Sequence, residues 1–265
     1  MAVRTIQTGV AAFSLLLVLM PRFATAGECP APSSEIATDR PDVTNSSQVV
    51  PLGSLQGENG VNSTGNGSEK TVDGTNSRLR LGVAPCFEIL VDLPNYVGGI
   101  HGPADSGFTN VAPAMKYQLS SLPESWNLSV TAGAGLPTGA TRITGPGVQP
   151  YLQFPWSHEL GNGWGTSGMF TTFFFPSNPL NHETTEATFV IEKKISERVS
   201  LFAEYVGDFP SRGSNVELFN MGGEYLLSRT QQVDFHIAFG LNRNSPDYIV
   251  GVGYSWRLDN LFAKR

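Results

Sequence analysis

The chain has 265 residues, a formal net charge of −6 at pH 7 and a charged fraction of only 15%. Soluble domains carry about 25% charged residues, so this composition favours a protein with a large uncharged surface. The negative charge argues against nucleic acid as a partner. Beyond residue 26, no stretch approaches the roughly 18 consecutive apolar residues that a membrane helix needs.

The first 26 residues have the three parts of a secretory signal peptide. Arg4 is the basic start, residues 10–20 are apolar, and residues 24–26 read Ala-Thr-Ala at a predicted cleavage site. Their removal takes away Arg4 and Arg22 and no acidic residue, which changes the net charge from −6 to −8. An exported chain of this kind is either a soluble periplasmic or secreted protein or an outer-membrane barrel. The 29 glycines, 18 prolines and few charges favour the barrel.

Residues 27–53 are rich in Pro, Ser, Thr and Asp and show no sustained period. We predict that this segment lies outside the barrel wall, either in the periplasm or folded into the lumen as a plug. It contains Cys29, and the other cysteine of the chain is Cys86. The acidic Glu28 before Cys29 does not fit a lipoprotein signal. In an exported chain the two cysteines could form a disulfide or remain two unpaired thiols.

Twelve segments between residues 54 and 258 alternate apolar and polar residues with a period of two. In the last pair, Val233 and Phe235 alternate with Asp234 and His236. Such alternation over about ten residues is typical of a strand between hydrocarbon and a polar lumen. We therefore predict an all-β fold, an antiparallel transmembrane β-barrel of about twelve strands, closed by pairing of residues 248–258 with residues 55–61. Residues 259–265 form a tail. The alternative is a soluble sandwich whose aromatic residues fill its core.

Long and short connections alternate along the predicted barrel. Long loops outside and short periplasmic turns are expected of outer-membrane barrels. An even number of strands then places both termini in the periplasm, and it places Cys86, in the first short turn, on the same side as Cys29. The predicted long loops are 63–75, 94–109, 137–147, 176–184, 210–215 and 243–247, and the short links are 84–86, 120–125, 157–163, 196–198 and 227–232.

Residues 38–44 read Thr-Asp-Arg-Pro-Asp-Val-Thr, which resembles the T-D-R-P-D-x-T opening of an outer-membrane transporter family, the meta-pathway of phenol degradation type. The resemblance continues at residues 50–56, at residues 79–83 and at residues 202–205. It implies a barrel that passes small molecules, among them aromatic or apolar ones, across the outer membrane. The implied partners are outer-membrane lipid, a small-molecule solute and the barrel-assembly machinery.

The polar face of the predicted strands carries most of the charge. Charge on the lipid face costs about 2–4 kcal/mol at mid-depth, so these side chains should point into the lumen. They either pair with each other and fill a narrow barrel, or they line a permeation path and set its selectivity. Asp39, Arg40 and Asp42 would join them if the N-terminal segment folds inward. The predicted lumen residues are Glu58, Arg78, Arg80, Glu88, Asp92, Lys116, Glu192, Lys194, Glu204, Asp208, Glu224, Asp234, His236 and Arg257.

The sequence predicts no catalytic residues, no metal ligands and no cofactor. An outer-membrane lipid hydrolase would need a serine, a histidine and a group that orients the histidine, and no such motif is present. Metal-ligand spacings such as CxxC and HExxH are absent. The leading hypothesis is passive passage of small molecules. The alternative is a non-conducting barrel with a structural or surface-interaction role.

Overall fold

The computed structural model describes residues 29–30, 33–102, 105–119, 122–123, 125–178 and 180–262. The predicted signal peptide lies outside the described residues. Among those residues, no helix is both long and apolar enough to cross a membrane.

The strands of the described chain form one antiparallel sheet, and the described chain has a single helical turn, α1 (Thr141–Thr144). Its strands in the described chain are β1 (Leu55–Asn66), β2 (Glu69–Ala84), β3 (Phe87–Asp92), β4 (Tyr96–His101), β5 (Gly107–Phe108), β6 (Ala112–Gln118), β7 (Trp126–Gly135), β8 (Gln149–Gly161), β9 (Trp164–Phe174), β10 (Glu183–Lys194), β11 (Val199–Pro210), β12 (Val216–Ser228), β13 (Gln231–Gly240) and β14 (Tyr248–Leu258).

The sheet closes on itself, because β1 pairs with both β2 and β14. The β1–β14 pairing runs from Leu55 opposite Leu258 to Gly65 opposite Tyr248, as the sequence predicted. Strands β3 and β4 both pair with β2 along different parts of its length. Strands β3 and β4 therefore share one position in the wall. Strand β5 pairs with β4, and β6 pairs with β3, so β5 and β6 share the next position. The barrel therefore has twelve strand positions, which confirms the predicted number.

Two of the predicted long loops are wrong. Within residues 63–75, β1 continues to Asn66 and β2 begins at Glu69. Within residues 94–109, the chain forms β4 and β5. Strand β2 is 16 residues long, whereas about 9–11 residues cross the hydrocarbon. The extra residues of β2 are held by backbone hydrogen bonds with β1 and β4. They show no apolar alternation, so a sequence pattern could not detect them as part of a strand.

The barrel wall has apolar side chains on its outer face and polar side chains on its inner face, which is the reverse of a soluble protein. Large apolar side chains such as Phe170 (57% exposed) and Phe235 (48%) point outward. Inward positions are polar and closely packed, with Arg80, Glu88 and Lys116 all at 0% exposure. This arrangement buries charge inside the barrel and leaves hydrocarbon-compatible side chains for the lipid.

Candidate functional site

Residues 33–50, which we call the lumen segment, lie inside the barrel. The Asp39 backbone N–H donates to Glu58 Oε2 of β1 at 2.8 Å, and the Val50 N–H donates to Glu88 Oε2 of β3 at 2.6 Å. Asn45 Nδ2 donates to Gln153 of β8 at 3.1 Å. Because these partners stand on well-separated strands, the segment crosses the lumen from wall to wall.

Asp39 is the centre of an ion-pair network on one side of the lumen. Its Oδ2 lies 2.8 Å from Arg78 Nη1, and its Oδ1 lies 3.2 Å from Arg80 Nη1 and 3.4 Å from Lys116 Nζ. Burial alone would raise the pKa of Asp39, but the charges of Arg80, Lys116 and Arg78 hold this pKa well below its ordinary value. Asp39 is therefore a carboxylate at any physiological pH.

Wall carboxylates complete this network. Arg80 Nε lies 3.0 Å from Glu88 Oε1, and Arg80 Nη1 lies 3.2 Å from Glu58 Oε1. Arg78 pairs with Asp92 at 2.6 Å. The same cations hold the backbone of the lumen segment, since Arg80 donates to the carbonyl oxygens of Ala37 and Gln48. Lys116 donates to the carbonyl oxygen of Ser46 at 2.9 Å.

Arg40 contacts a third part of the wall. Its Nη2 lies 3.2 Å from Asp234 Oδ1 of β13. A Cβ atom at Gly60 of β1 or Gly253 of β14 would overlap the guanidinium. These two glycines therefore make room for the arginine. Beside them, His236 contacts Asn220 at 3.1 Å and Asn62 at 3.2 Å.

The opposite side of the lumen holds the segment through one carboxylate, Glu204 of β11. It accepts from the backbone N–H of Val43 at 2.9 Å and of Thr44 at 2.9 Å, and from Thr44 Oγ1 at 2.8 Å. Asn220 Nδ2 donates to it at 2.9 Å. The lumen segment contributes only neutral donors here, and in the described part of the chain no cation forms an ion pair with Glu204.

Further carboxyl groups surround this contact. Burial, and then the charges of Glu204, Glu224 and Glu192, raise the pKa of Asp42 well above its ordinary value. Two like-charged pairs stand directly opposite each other across neighbouring strands: Glu186 with Asp208, and Glu224 with Asp234. Among the described residues, Asp42, Glu186, Glu192, Asp208 and Glu224 have no ion-pair partner.

A cavity of about 380 Å³ lies between the lumen segment and the end of the barrel that carries the β1–β2 turn. Five asparagines and six charged residues are among the residues that line it. Asp73 Oδ1 accepts from the amide nitrogens of Asn62 at 3.3 Å, Asn76 at 2.6 Å and Asn95 at 3.1 Å, which fixes the orientation of these three asparagines.

At the opposite end, a disulfide joins Cys29 to Cys86, with the sulfur atoms 1.98 Å apart. It connects the start of the described chain to the turn between β2 and β3. A second cavity, of about 200 Å³, adjoins the disulfide. The disulfide therefore tethers the lumen segment covalently at this end.

All fourteen predicted lumen residues occupy inward positions of their strands, though Glu192 and Lys194 are exposed at the mouth. Glu58, Arg78, Arg80, Glu88, Asp92 and Lys116 come together around Asp39, whereas Glu192, Asp208 and Glu224 stay outside that network. Sequence reasoning missed Glu186 and the asparagines of the cavity. Glu186 shares the even positions of Glu192, a signal that an earlier start for β10 would have captured.

Among the described residues, no three His, Cys, Asp or Glu side chains are grouped as a metal site. The arrangement is a closed twelve-stranded barrel with an apolar exterior, a charged interior and a segment across its lumen. These features define a closed transmembrane β-barrel of the outer-membrane type.

The profile of the family described as "Putative MetA-pathway of phenol degradation" matches residues 38–258. The chain belongs to this family. Its matched region begins at the Thr-Asp-Arg-Pro-Asp motif, which is the part of the lumen segment that holds Asp39, Arg40 and Asp42. No curated protein matches the chain in sequence.

Solved barrels share the fold at low sequence identity. The NanC porin has a TM-score of 0.58 and 8% identity, over 77% of this chain and 100% of that chain. The KdgM porin has a TM-score of 0.52 and 7% identity, over 77% of this chain and 98% of that chain. The CymD monoaromatic hydrocarbon channel has a TM-score of 0.48 and 9% identity, over 80% of this chain and 90% of that chain.

Proposed function

We propose that the protein is a channel through which small molecules, including aromatic or apolar ones, cross the outer membrane by diffusion. The lumen segment is its plug. The observation that carries this proposal is that residues 33–50 cross the lumen through polar contacts and leave a cavity of about 380 Å³ beside them. The family description supports small aromatic solutes. Outer-membrane lipid and the barrel-assembly machinery are the other partners that we infer.

Passage requires the plug to shift. Breaking a buried ion pair by removal of one partner costs about 3–5 kcal/mol, and each 1.4 kcal/mol changes a population about tenfold. The Asp39 network alone therefore keeps the open state rare. The disulfide at Cys29 retains the segment at the periplasmic end, so a released plug stays attached to the barrel.

A permanently closed barrel with a structural or surface-interaction role is the second candidate. The observation that favours it is the density of the lumen, where Arg80, Lys116, Glu58 and Glu88 are at most 1% exposed. In that case the charges only fill the barrel, and the long loops would carry the function.

Catalysis is not part of the proposal. Ser125 Oγ lies 3.2 Å from His158 Nδ1 at an exposed position. Within the described residues, Ser125 is the only hydrogen-bond partner of that imidazole, so no third group orients it as a catalytic base. Lipid hydrolysis by the purified protein that disappears in His158→Ala would contradict this assignment.

Conductance in planar bilayers separates the two candidates. Thr44 Oγ1 of the plug lies 2.5 Å from Thr188 Oγ1 of β10, so cysteines at these positions can lock the plug to the wall. We expect discrete conductance after deletion of residues 27–53. In a Cys29→Ala/Cys86→Ala background, we expect the Thr44→Cys/Thr188→Cys variant to lose conductance when oxidation forms the new disulfide. Conductance should return when a reductant breaks it.

The single Thr44→Cys variant in the same background is the matched control, since it cannot form the lock. Heat-dependent mobility on a gel verifies that each barrel is folded. Folded barrels that never conduct, with the plug deleted and with the lock reduced, would establish the closed barrel instead.

A further inference from the structure

The cavity beside the plug has the size of a binding site for a small molecule. Its volume of about 380 Å³ falls within the range of about 300–1,000 Å³ that ligand pockets occupy. Side chains reach it from several strands and from the plug, so a bound solute would contact both the fixed wall and the moving part. The asparagines that line it are Asn45, Asn62, Asn76, Asn95 and Asn110.

Two residues that line this cavity each have a buried donor without a hydrogen-bond partner in the described chain. Asn110 is 8% exposed, and its Oδ1 accepts from the Gly139 N–H at 2.9 Å and from Thr144 Oγ1 at 3.2 Å, whereas its Nδ2 has no acceptor. Arg40 Nε also has no acceptor. An unsatisfied buried donor destabilises the protein, because it has lost its hydrogen bond to water without gaining another. A solute that presents an acceptor oxygen recovers that free energy.

The charges at the cavity argue against an anionic solute. Both arginines that line it are already paired, Arg40 with Asp234, and Arg78 with Asp39 and Asp92. The remaining charged groups in its lining, Asp42 and Glu58, are acidic. An anion would meet more carboxyl groups than guanidinium groups, and a cation would leave the orphaned donors without an acceptor. The solute that fits is therefore neutral.

Part of the cavity is apolar. Pro41 and Val43 face it from the plug, and Leu93 faces it from the segment that follows β3. These side chains provide contact area for a ring or a short hydrocarbon body, while the amides of the lining meet polar atoms.

We propose that the cavity binds small neutral solutes with an apolar body and at least one hydroxyl or carbonyl oxygen, with Asn110 Nδ2 as a donor to that oxygen. This inference rests on the proposed channel function, because it names the class of solute that the channel carries. Asn110 is then a specificity residue, and hydrocarbons without oxygen are poor ligands of this site.

Four compounds with the same ring and one attached carbon test the proposal: toluene, benzaldehyde, benzyl alcohol and benzoate. Their dissociation constants for the purified full-length protein in detergent are measured by ligand-observed NMR titration. We expect benzaldehyde and benzyl alcohol to bind at least about tenfold more tightly than toluene or benzoate, because only these two are neutral and carry an oxygen. Toluene or benzoate binding as tightly as benzaldehyde would overturn the proposal.

Asn110→Asp sharpens the test, because the carboxylate keeps the oxygen that accepts from Gly139 and Thr144 and replaces the amide donor with a negatively charged acceptor oxygen. We expect benzaldehyde, which can only accept, to bind about tenfold more weakly, and benzyl alcohol, whose hydroxyl can donate to the new carboxylate, to change by less than about threefold. The matched control is Asn244→Asp in an exposed loop, which should change neither compound. Equal effects on the two compounds, or none, would contradict the role of Asn110.

Binding in detergent does not require conductance. A protein that binds benzyl alcohol and never conducts would disprove the channel and leave the site standing. A protein that conducts without the expected preference would disprove the site and leave the channel standing.

Discussion

The two sides of the lumen hold the plug by different chemistry. On the β2–β3–β6 side, the plug supplies a carboxylate, Asp39, and the wall supplies three cations. On the β10–β12 side, the wall supplies a carboxylate, Glu204, and the plug supplies only backbone N–H groups and a hydroxyl. Both contacts are hydrogen-bonded, but only the first is neutralised by opposite charge.

This difference indicates where the plug is weakest. On the first side, docking of the plug gives each of the three cations a carboxylate partner in Asp39. On the second side, docking buries Asp42 close to Glu204, Glu224 and Glu192, and burial and then these like charges raise its pKa. We infer that release of the plug begins at the β10–β12 side, while the Asp39 network is the last contact to break.

Asp39→Ala should have the largest effect on the plug. It leaves Arg78, Arg80 and Lys116 with the wall carboxylates as their only partners, and loss of a buried partner costs about 3–5 kcal/mol. The open fraction in planar bilayers should rise by about two to three orders of magnitude. Asp105→Ala, in an exposed loop, is the matched control. An Asp39→Ala barrel that is folded and opens no more often than the control would show that the network does not hold the plug.

The pH dependence of opening tests the second side. The pKa of Asp42 is raised above 3.8 when the plug is docked, so the docked state binds a proton that the released state loses. Docking is therefore fully stabilised below about pH 4 and weakens as pH rises through the docked-state pKa. In the wild type, opening should increase as the pH rises from about pH 4 through the docked-state pKa of Asp42, and Asp42→Asn should reduce this increase.

Asp42→Asn should also open less often than the wild type at neutral pH, because it removes the repulsion by Glu204, Glu224 and Glu192. Asp105→Asn provides the control for loss of a surface charge. If Asp42→Asn leaves the pH dependence of opening unchanged, groups other than Asp42 cause that dependence. Repulsion at Asp42 would then not make the β10–β12 side the weaker of the two.

Lys194→Ala should have the smallest effect. Lys194 Nζ lies 3.1 Å from Glu35 Oε2 at the mouth of the barrel, but the two side chains are 45% and 40% exposed. Exposed ion pairs contribute about 0–1 kcal/mol, so the open fraction should change by less than about fivefold, and less still at high salt. A change as large as that of Asp39→Ala would show that the mouth, and not the buried network, controls opening.

The sequence correctly predicted which side chains face inward and which face outward, because this direction alternates with every residue of a strand. Phe235 faces outward and Asp234 inward because successive side chains of a strand point to opposite faces, and this period is visible without any knowledge of the partner strand. Prediction from sequence failed at Asn62, Asn76 and Asn95, which belong to stretches without apolar alternation. Those stretches extend beyond the hydrocarbon, where backbone pairing alone maintains the strand.

The sequence by itself determined the barrel, its strand number and which side chains face inward, because these depend on a local period of two. Only the tertiary structure decided whether the N-terminal segment enters the lumen, which charges neutralise one another and which donors remain without acceptors. Arg40 and Asp234, for example, are 194 residues apart in the chain and meet only because the sheet closes. Pairing across a lumen depends on the curvature and register of the whole barrel, which no local pattern encodes.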